Sequence, residues 1–168
     1  GRFFEQSSAA MVMEGARLGR VWSFRDITAR KQAEEALRES EDKFKHVFDH
    51  SAIGKSITRP SGEIQVNEAF CQMGYSAPEL QHKTWQEISH PADHDLTQRE
   101  VDALLRGEKE EARFIKRYLH KNGSVVWANV ATALRRDQAG NPLYFMTAVV
   151  DITERKQSEE KIRRQLEH

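Results

Sequence analysis

The chain has 168 residues, 38% of them hydrophobic and 31% charged, which suits one domain core with a large charged surface. Lysine plus arginine equals aspartate plus glutamate, 26 against 26, so the overall charge favours neither nucleic acid nor an acidic membrane as a partner. The single cysteine, Cys71, excludes an internal disulfide and any multi-thiolate metal site. No apolar run approaches the ~20 residues of a membrane helix and no segment resembles a signal peptide, so we expect a cytoplasmic protein.

A charged phrase occurs twice, as "DITARKQAEE" at 26–35 and as "DITERKQSEE" at 151–160. This spacing is about one domain plus one linker helix, as a tandem array requires. Aligning "GRFFEQSSAAMV" with "GSVVWANVATAL" predicts that residues 1–28 are the last two strands of a truncated preceding domain. An isolated hairpin is marginal in water, so we expect it to pack on a partner chain or on the complete domain's sheet, or to be poorly ordered. The apolar side chains that need this cover are Phe3, Phe4, Met11, Val12, Met13, Val21, Trp22 and Phe24.

Residues 29–48 are predicted to form a linker helix. Apolar or small residues recur there at alternating spacings of four and three, which is typical of a short coiled-coil seam. These residues are Ala33, Leu37, Ser40, Phe44 and Val47. Residues 154–165 repeat the pattern and begin an output-linker helix, so we expect a homodimer formed through these helices. Residues 166–168 resemble the start of a vector-derived tag and are assigned no function.

Residues 49–153 read as one complete α+β domain. Two short strands, 53–58 and 63–67, flank the turn "RPSG". Asn67 is a plausible N-cap of a short helix, "GYSAPEL" begins another, and "TWQEISH" is expected to form one further helical turn.

The segment from Asp93 to Gly107 carries the clearest helix pattern of the domain. Asp93 is a plausible N-cap and Gly107 a helix-ending glycine. The expected apolar face consists of Leu96, Val101, Leu104 and Leu105. Three longer strands follow, at 112–119, 124–136 and 143–151, the first two joined by an Asn-Gly turn. This order predicts a five-stranded antiparallel sheet with short helices on one face, flanked by the two linker helices.

Several motifs of this domain occur in the order of a known family. They are "SAIGKSIT", "GEIQVNEAFCQM-GYSAPEL", "HPADHD", "YLHKNGSVVWA" and the final "DITERK". Residues 44–156 thereby resemble a PAS sensory domain of the S-box/PAC type found in bacterial multi-PAS signalling proteins. The resemblance implies the five-stranded fold above and a sensing and signal-relay role upstream of a histidine kinase or diguanylate cyclase in the same parent chain. No catalytic signature stands out in the fragment itself, so we expect no enzymatic activity here.

One spacing departs from this resemblance. Relatives usually carry one more residue before "GY", whereas here Met73 runs directly into Gly74. The helix before it is therefore shortened, or one residue is missing from the sequence.

The resemblance places a pocket between the sheet and the helices. A ligand there would need convergent polar groups, for which Gln72, Asn129 and Thr147 are weak candidates. The alternative is that the predicted wall residues only fill the core. The predicted walls are Ile57, Ile64, Val66, Phe70, Met73, Trp85, Ile88, Leu104, Phe114, Val126, Val130, Phe145 and Thr147.

Cofactors are not expected, and flavin and haem are the two alternatives. Cys71 lies in "AFCQM" and lacks the neighbours of the reactive cysteine in light-sensing relatives, which argues against flavin photochemistry. Some oxygen-sensing relatives ligate haem iron through a histidine near a His-Asp pair, so His94 is a haem-ligand alternative. A metal site formed by His90, Asp93 and His94 is a weaker one.

The residues Asp151, Ile152 and Thr153 form the predicted signal exit. Asp151 or Thr153 could cap the outgoing helix and Ile152 could anchor the strand, as Asp26, Thr28 and Ile27 would for the linker. We expect this exit to be a hinge between a ligand-sensing pocket and a dimeric helix. Plain helix initiation in a ligand-free dimerisation or spacer module is the alternative, and a haem-binding gas sensor is another.

Overall fold

The N-terminal residues form an antiparallel hairpin of two long strands, β1 (Phe4–Met13) and β2 (Ala16–Asp26). The hairpin lies in the first of two units into which the chain divides, residues 1–46, and the second unit begins at Val47. This computed structural model describes residues 1–167. His168, the last residue of the predicted tag remnant, lies outside the described residues.

Both faces of the hairpin carry exposed apolar side chains. Every residue of β1 and β2 is exposed, and Trp22 and Phe24 are 52% and 65% exposed. The cover predicted for these side chains, from the complete domain or from a partner chain, stays a prediction.

The linker is one helix, α1 (Thr28–Asp49), whose 22 residues extend one residue beyond each end of the predicted range. Leu37 and Val47, two positions of the predicted seam, are 60% and 63% exposed. Surface ion pairs such as Arg30–Glu34, one helical turn apart, add only tenths of a kcal/mol each. The dimeric seam itself stays a prediction.

The second unit is built on a five-stranded antiparallel sheet, as the sequence predicts. Its strands are β3 (Gly54–Thr58), β4 (Ile64–Val66), β5 (Glu111–Leu119), β6 (Val125–Arg136) and β7 (Pro142–Asp151). Their order across the sheet is β4-β3-β7-β6-β5. The last strand in sequence therefore lies at the centre of the sheet, paired with β3 and β6, and the chain leaves the domain from the end of this strand.

Short helices connect the two halves of this sheet. They are α2 (Glu68–Cys71), α3 (Ala77–Leu80), a 3₁₀ turn (Pro91–Asp93) and α4 (His94–Leu105); α5 (Thr153–Leu166) leaves the domain. Asn67 caps α2 as predicted, and Ser76 with Glu79 forms a capping box on α3. The segment "TWQEISH" contains turns rather than the expected helical turn.

The core lies between one face of the sheet and this helical layer. On β6 the residues Val126, Ala128, Val130 and Thr132 are buried while the alternate positions are not, as expected for a strand with one covered face. The buried cluster comprises Phe70, Met73, Leu80, Ile88, Tyr118, Val126, Ala128, Val130 and Val149.

Two expectations for α4 were wrong. Asp93 stands at the N-cap position but makes no capping hydrogen bond, because its carboxylate accepts three bonds from Arg117, at 2.8, 2.9 and 2.8 Å. A charge-assisted bidentate pair is stronger than a cap bond. Leu105 is 39% exposed, whereas Thr97 and Ala103 are buried, so the covered face is rotated relative to the predicted one.

Gly74 follows the short helix α2 and requires a left-handed backbone, with φ at 93°. A β-carbon at this position would lie 2.6 Å from His120 Nε2. We expect Gly74→Ala to lower the free energy of unfolding by about 2–3 kcal/mol, from left-handed strain plus displacement of the His120 ring.

Urea unfolding measures this effect, and Gly123→Ala is the matched control. Gly123 has a similar φ of 86°, but a β-carbon there meets nothing within 4 Å. The control should lose only the conformational part, about 1 kcal/mol. Equal losses in the two variants would contradict a role for the His120 contact.

Candidate functional site: a polar cavity and the exit from the sheet

A cavity of about 80 Å³ lies between the sheet and the helical layer of the second unit. Apolar and hydroxyl side chains alternate along its walls, together with one lysine. Eight of the predicted wall residues line it: Ile64, Phe70, Trp85, Ile88, Phe114, Val130, Phe145 and Thr147. The residues not predicted are Ser56, Thr58, Thr97, Val101, Lys116, Tyr118 and Thr132.

The other five predicted wall residues lie elsewhere. Met73 and Val126 line a second cavity of about 250 Å³ beside the end of β7, as does Gln72. Val66 packs against the core cluster, and Leu104 is buried without lining either cavity. Ile57 belongs to the opposite face of the sheet, because its neighbours Ser56 and Thr58 face the cavity and strand residues alternate. Asn129 is exposed for the same reason.

Lys116 is the charged residue of the cavity wall, and it is only 3% exposed. Its Nζ donates a hydrogen bond of 2.8 Å to Ser89 Oγ. The ammonium lies 4.4 Å from the Tyr118 ring centroid and 5.3 Å from that of Trp85. Such cation–π contacts favour a desolvated cation, so two aromatic rings and one hydroxyl hold the charge in place.

The sequence does indicate an inward position for Lys116, although a search for apolar residues alone passes over it. Along β5 the residues Ala112, Phe114, Lys116 and Tyr118 share the covered face. A lysine within an alternating apolar series stands where a hydrophobic residue is expected. Its inward position follows from the same period that places Phe114.

Burial lowers the pKa of the Lys116 ammonium from its ordinary value of 10.5 to about 8, against the opposing attraction of Asp93. The Arg117 guanidinium, hydrogen-bonded to Asp93, holds the pKa of that carboxyl below its usual range. Burial raises the pKa of the Tyr118 phenol. Among these three groups, Lys116 is therefore the one that loses its charge near pH 8 in the folded state.

We expect Lys116→Met to raise the free energy of unfolding by about 1–2 kcal/mol at pH 7. The methionine keeps the side-chain volume and removes a desolvated charge whose burial costs up to about 3 kcal/mol. The loss of the cation–π contacts and of the Ser89 hydrogen bond offsets part of this gain.

The pH dependence gives the sharper measurement. At Lys116 the folded state binds fewer protons than the unfolded state between pH 8 and 10.5, so the contribution of this residue to the stability of the wild type should rise with pH through that window. Urea unfolding of both proteins from pH 7 to 10.5 should show their difference shrinking, since subtraction removes groups such as Asp93 and Tyr118. A difference that is independent of pH would contradict a buried, titrating Lys116.

His94 interacts with backbone carbonyl groups and does not line the cavity. Its Nε2 lies 2.9 Å from the Gln86 carbonyl oxygen and 3.2 Å from that of Ser89, and its ring packs edge-on against Trp85. A haem ligand needs that nitrogen free, so the residues present do not fit haem bound through His94. Among residues 1–167, no three His, Cys, Asp or Glu side chains are arranged to hold a metal ion, which includes the predicted set with His90 and Asp93.

Cys71 is half-buried and does not line the 80 Å³ cavity. Its Sγ lies 3.4 Å from the Asn67 carbonyl oxygen, and burial raises the pKa of the thiol. A thiol needs a lowered pKa and access to a ligand to act as a nucleophile. The described surroundings of Cys71 therefore do not fit a flavin-reactive role.

The signal exit is tied to β6 by its own hydrogen bonds. Ile152 is 8% exposed and its N–H donates to the Trp127 carbonyl oxygen at 2.8 Å. The Thr153 hydroxyl accepts from the Trp127 N–H at 2.9 Å, and Asp151 Oδ1 accepts from the Thr153 N–H at 2.9 Å. Because β7 has ended at this point, the Trp127 N–H would otherwise lack a hydrogen-bond partner. The Thr153 hydroxyl therefore bonds to the sheet and does not form the expected helix cap.

The first unit contains the same set of bonds. Ile27 N–H donates to the Phe3 carbonyl oxygen at 2.9 Å, the Thr28 hydroxyl accepts from the Phe3 N–H at 2.9 Å, and Asp26 accepts from the Thr28 N–H at 3.0 Å. Phe3 therefore corresponds to Trp127 in these two sets of bonds. This correspondence differs by two residues from the alignment of "GRFFEQSSAAMV" with "GSVVWANVATAL" that was predicted from the sequence. The repeated phrase is a repeated structural element.

Comparison with known proteins identifies the fold family. A family model described as "PAS fold" matches residues 63–149. The chain belongs to the PAS family.

Thirty-nine per cent of 126 residues are identical to the "Probable diguanylate cyclase DgcE" of Escherichia coli K12, covering 74% of this chain and 11% of that protein. The "Sensor histidine kinase TmoS" of Ectopseudomonas mendocina is 30% identical over 134 residues, covering 79% and 14%. The chain thus spans a small part of these relatives.

Solved PAS structures share the fold at low sequence identity. A PAS domain from Colwellia psychrerythraea has a TM-score of 0.62 at 19% identity, covering 67% of this chain and 97% of that one. The LOV protein of Rhodobacter sphaeroides has a TM-score of 0.61 at 18% identity, covering 74% and 73%. Both structures therefore share the architecture of this chain. Within residues 1–167, no helix has the length and apolar character needed to cross a bilayer.

Proposed function

We propose that residues 49–153 sense a small ligand in the 80 Å³ cavity and relay its presence through the exit at Asp151–Thr153. One observation carries this proposal: the central strand β7 both lines the cavity, through Phe145 and Thr147, and ends at the exit. A ligand that changes how β7 packs therefore acts on the strand that continues into α5.

The relay has further parts on either side. We infer that α1 and α5 form a homodimer, supported by exposed Leu37 and Ile162 at matching positions of the repeat. The bonds shared by the two exits support residues 1–28 as the end of a preceding PAS domain. The output is a histidine kinase or diguanylate cyclase type domain later in a cytoplasmic parent chain, and the fragment itself performs no catalysis.

A cavity-filling variant tests ligand sensing. Thermal unfolding of the purified chain with a panel of small molecules should identify ligands that raise its Tm. Thr147→Met, which extends into the cavity, should abolish that rise, whereas Asn129→Gln on the open face should keep it. No response to any molecule, with unchanged output of the full-length parent when Thr147→Met is introduced, would favour a ligand-free spacer. An absorption spectrum of the chain as purified tests haem and flavin directly.

A further inference from the structure

The cavity combines a buried positive charge with apolar walls. Among the fifteen described residues that line it, Lys116 is the charged one. Among the described residues no carboxylate forms an ion pair with its Nζ, and the nearby Asp93 is bound instead by Arg117, at 2.8 Å. A buried charge without a counterion is costly, so an anion placed beside Nζ is favoured over water or an apolar group.

The ammonium also has donors to spare. It has three N–H groups, of which Ser89 Oγ accepts one. Two hydroxyls meet across the sheet in the same cavity, with Thr147 Oγ1 donating to Thr132 Oγ1 at 2.9 Å. An ammonium with unused N–H groups binds a carboxylate through charge-assisted hydrogen bonds, and the two hydroxyls add polar surface to the same cavity.

The volume of the cavity and its apolar walls limit the class of ligand that it can bind. A volume of about 80 Å³ holds only a few heavy atoms, given the roughly 10–15 Å³ required for one water by the same kind of measure. Ile64, Phe114 and Val130 supply apolar surface. An ion that is polar on all sides would leave these walls poorly matched.

We propose that the cavity binds a small monocarboxylate with a short apolar chain, with the carboxylate on Lys116 Nζ and the chain against Ile64 and Val130. This inference rests on the proposed ligand-sensing function and names the chemical class of its ligand.

Butyrate and its uncharged analogue butyramide are suitable probes, because they share size and chain and differ in charge. Isothermal titration at pH 7 of the chain 1–168 should show butyrate binding at least tenfold more tightly than butyramide. Lys116→Met should weaken butyrate binding at least tenfold and leave butyramide nearly unchanged. Lys55→Met, which removes a lysine from the other face of β3, is the matched control and should bind as the wild type does.

The outcomes separate this inference from the proposed function. Equal affinities for butyrate and butyramide, both lost in Thr147→Met, would overturn the anionic ligand and leave a sensing cavity. Butyrate binding that survives in Lys116→Met, or is lost equally in Lys55→Met, would indicate surface association and also overturn it. Absence of binding by either probe overturns it as well. The comparison of butyrate with butyramide in the wild type needs no variant at Lys116, so a folding failure of Lys116→Met does not decide the test.

Discussion

Replacing Asn67 by aspartate should lower the free energy of unfolding of the PAS domain by about 3–5 kcal/mol. Asn67 is 1% exposed and uses both donors and its acceptor oxygen. Its Nδ2 donates to the carbonyl oxygens of Phe48 and Ile53, at 2.9 Å each. Its Oδ1 accepts from the N–H groups of Lys55, at 2.8 Å, and Phe70, at 3.0 Å.

The aspartate variant keeps the acceptor and loses both donors. Two buried carbonyls then face a carboxylate oxygen, and each unsatisfied buried group costs about 1–3 kcal/mol before repulsion is added. Asn129→Asp is the matched control, since Asn129 is exposed on β6 and its replacement should change stability by less than about 0.5 kcal/mol. Urea unfolding at pH 7 measures both, and a loss below 1 kcal/mol for Asn67→Asp would contradict the structural role.

The position of Asn67 gives this loss a functional meaning. Its four bonds join the end of α1, the start of β3 and the first turn of α2. These bonds fix the last residues of α1 to the sheet and to α2, at the entry that the proposed relay would use.

Much of the fold follows from local sequence signals. The Asn-Gly turn between β5 and β6, the period of two along β6 and the capping position of Asn67 each specify their element without distant contacts. The other three bonds of Asn67 join segments 12 to 19 residues apart, and no local pattern encodes them. The same holds for Asp93, whose pairing with Arg117, 24 residues away, replaces the predicted cap.

The candidate site was predictable on its apolar side. Alternation along β6 and β7 places Val130 and Thr147 on the covered face, where the cavity lies. Ile57 was misplaced because a five-residue strand that is apolar at one position does not fix its own phase. Lys116 was missed because apolar patterning passes over a buried charge, although the period of β5 places it inward. The exit phrase was recognised, but the bond from Thr153 to Trp127 depends on where β7 ends.

Replacing Thr153 by valine should loosen the exit without altering the cavity. Valine keeps the shape of threonine but cannot accept the bond from the Trp127 N–H, which leaves that half-buried donor unsatisfied. We expect a local loss of about 1–2 kcal/mol, which corresponds to a 5–30-fold increase in amide hydrogen exchange over the first turn of α5. Ser158→Ala, at an exposed site on the same helix, should leave that exchange unchanged.

The same exit tests whether the repeated phrase switches a signal or only starts a helix. In the full-length parent protein, the double variant Asp151→Ala with Thr153→Ala should fold and bind ligand, yet its output should no longer respond to stimulus. The reason is that the exit would lose the bond from Trp127 to Thr153 and the bond from Thr153 to Asp151, keeping only the backbone bond of Ile152, so α5 would follow a change in β7 less closely. Asp26→Ala with Thr28→Ala removes the corresponding bonds at the first exit and should leave the response of this domain to its own ligand intact. Unchanged regulation in the Asp151 and Thr153 double variant would reduce the phrase to helix initiation and move the relay to another surface of the sheet.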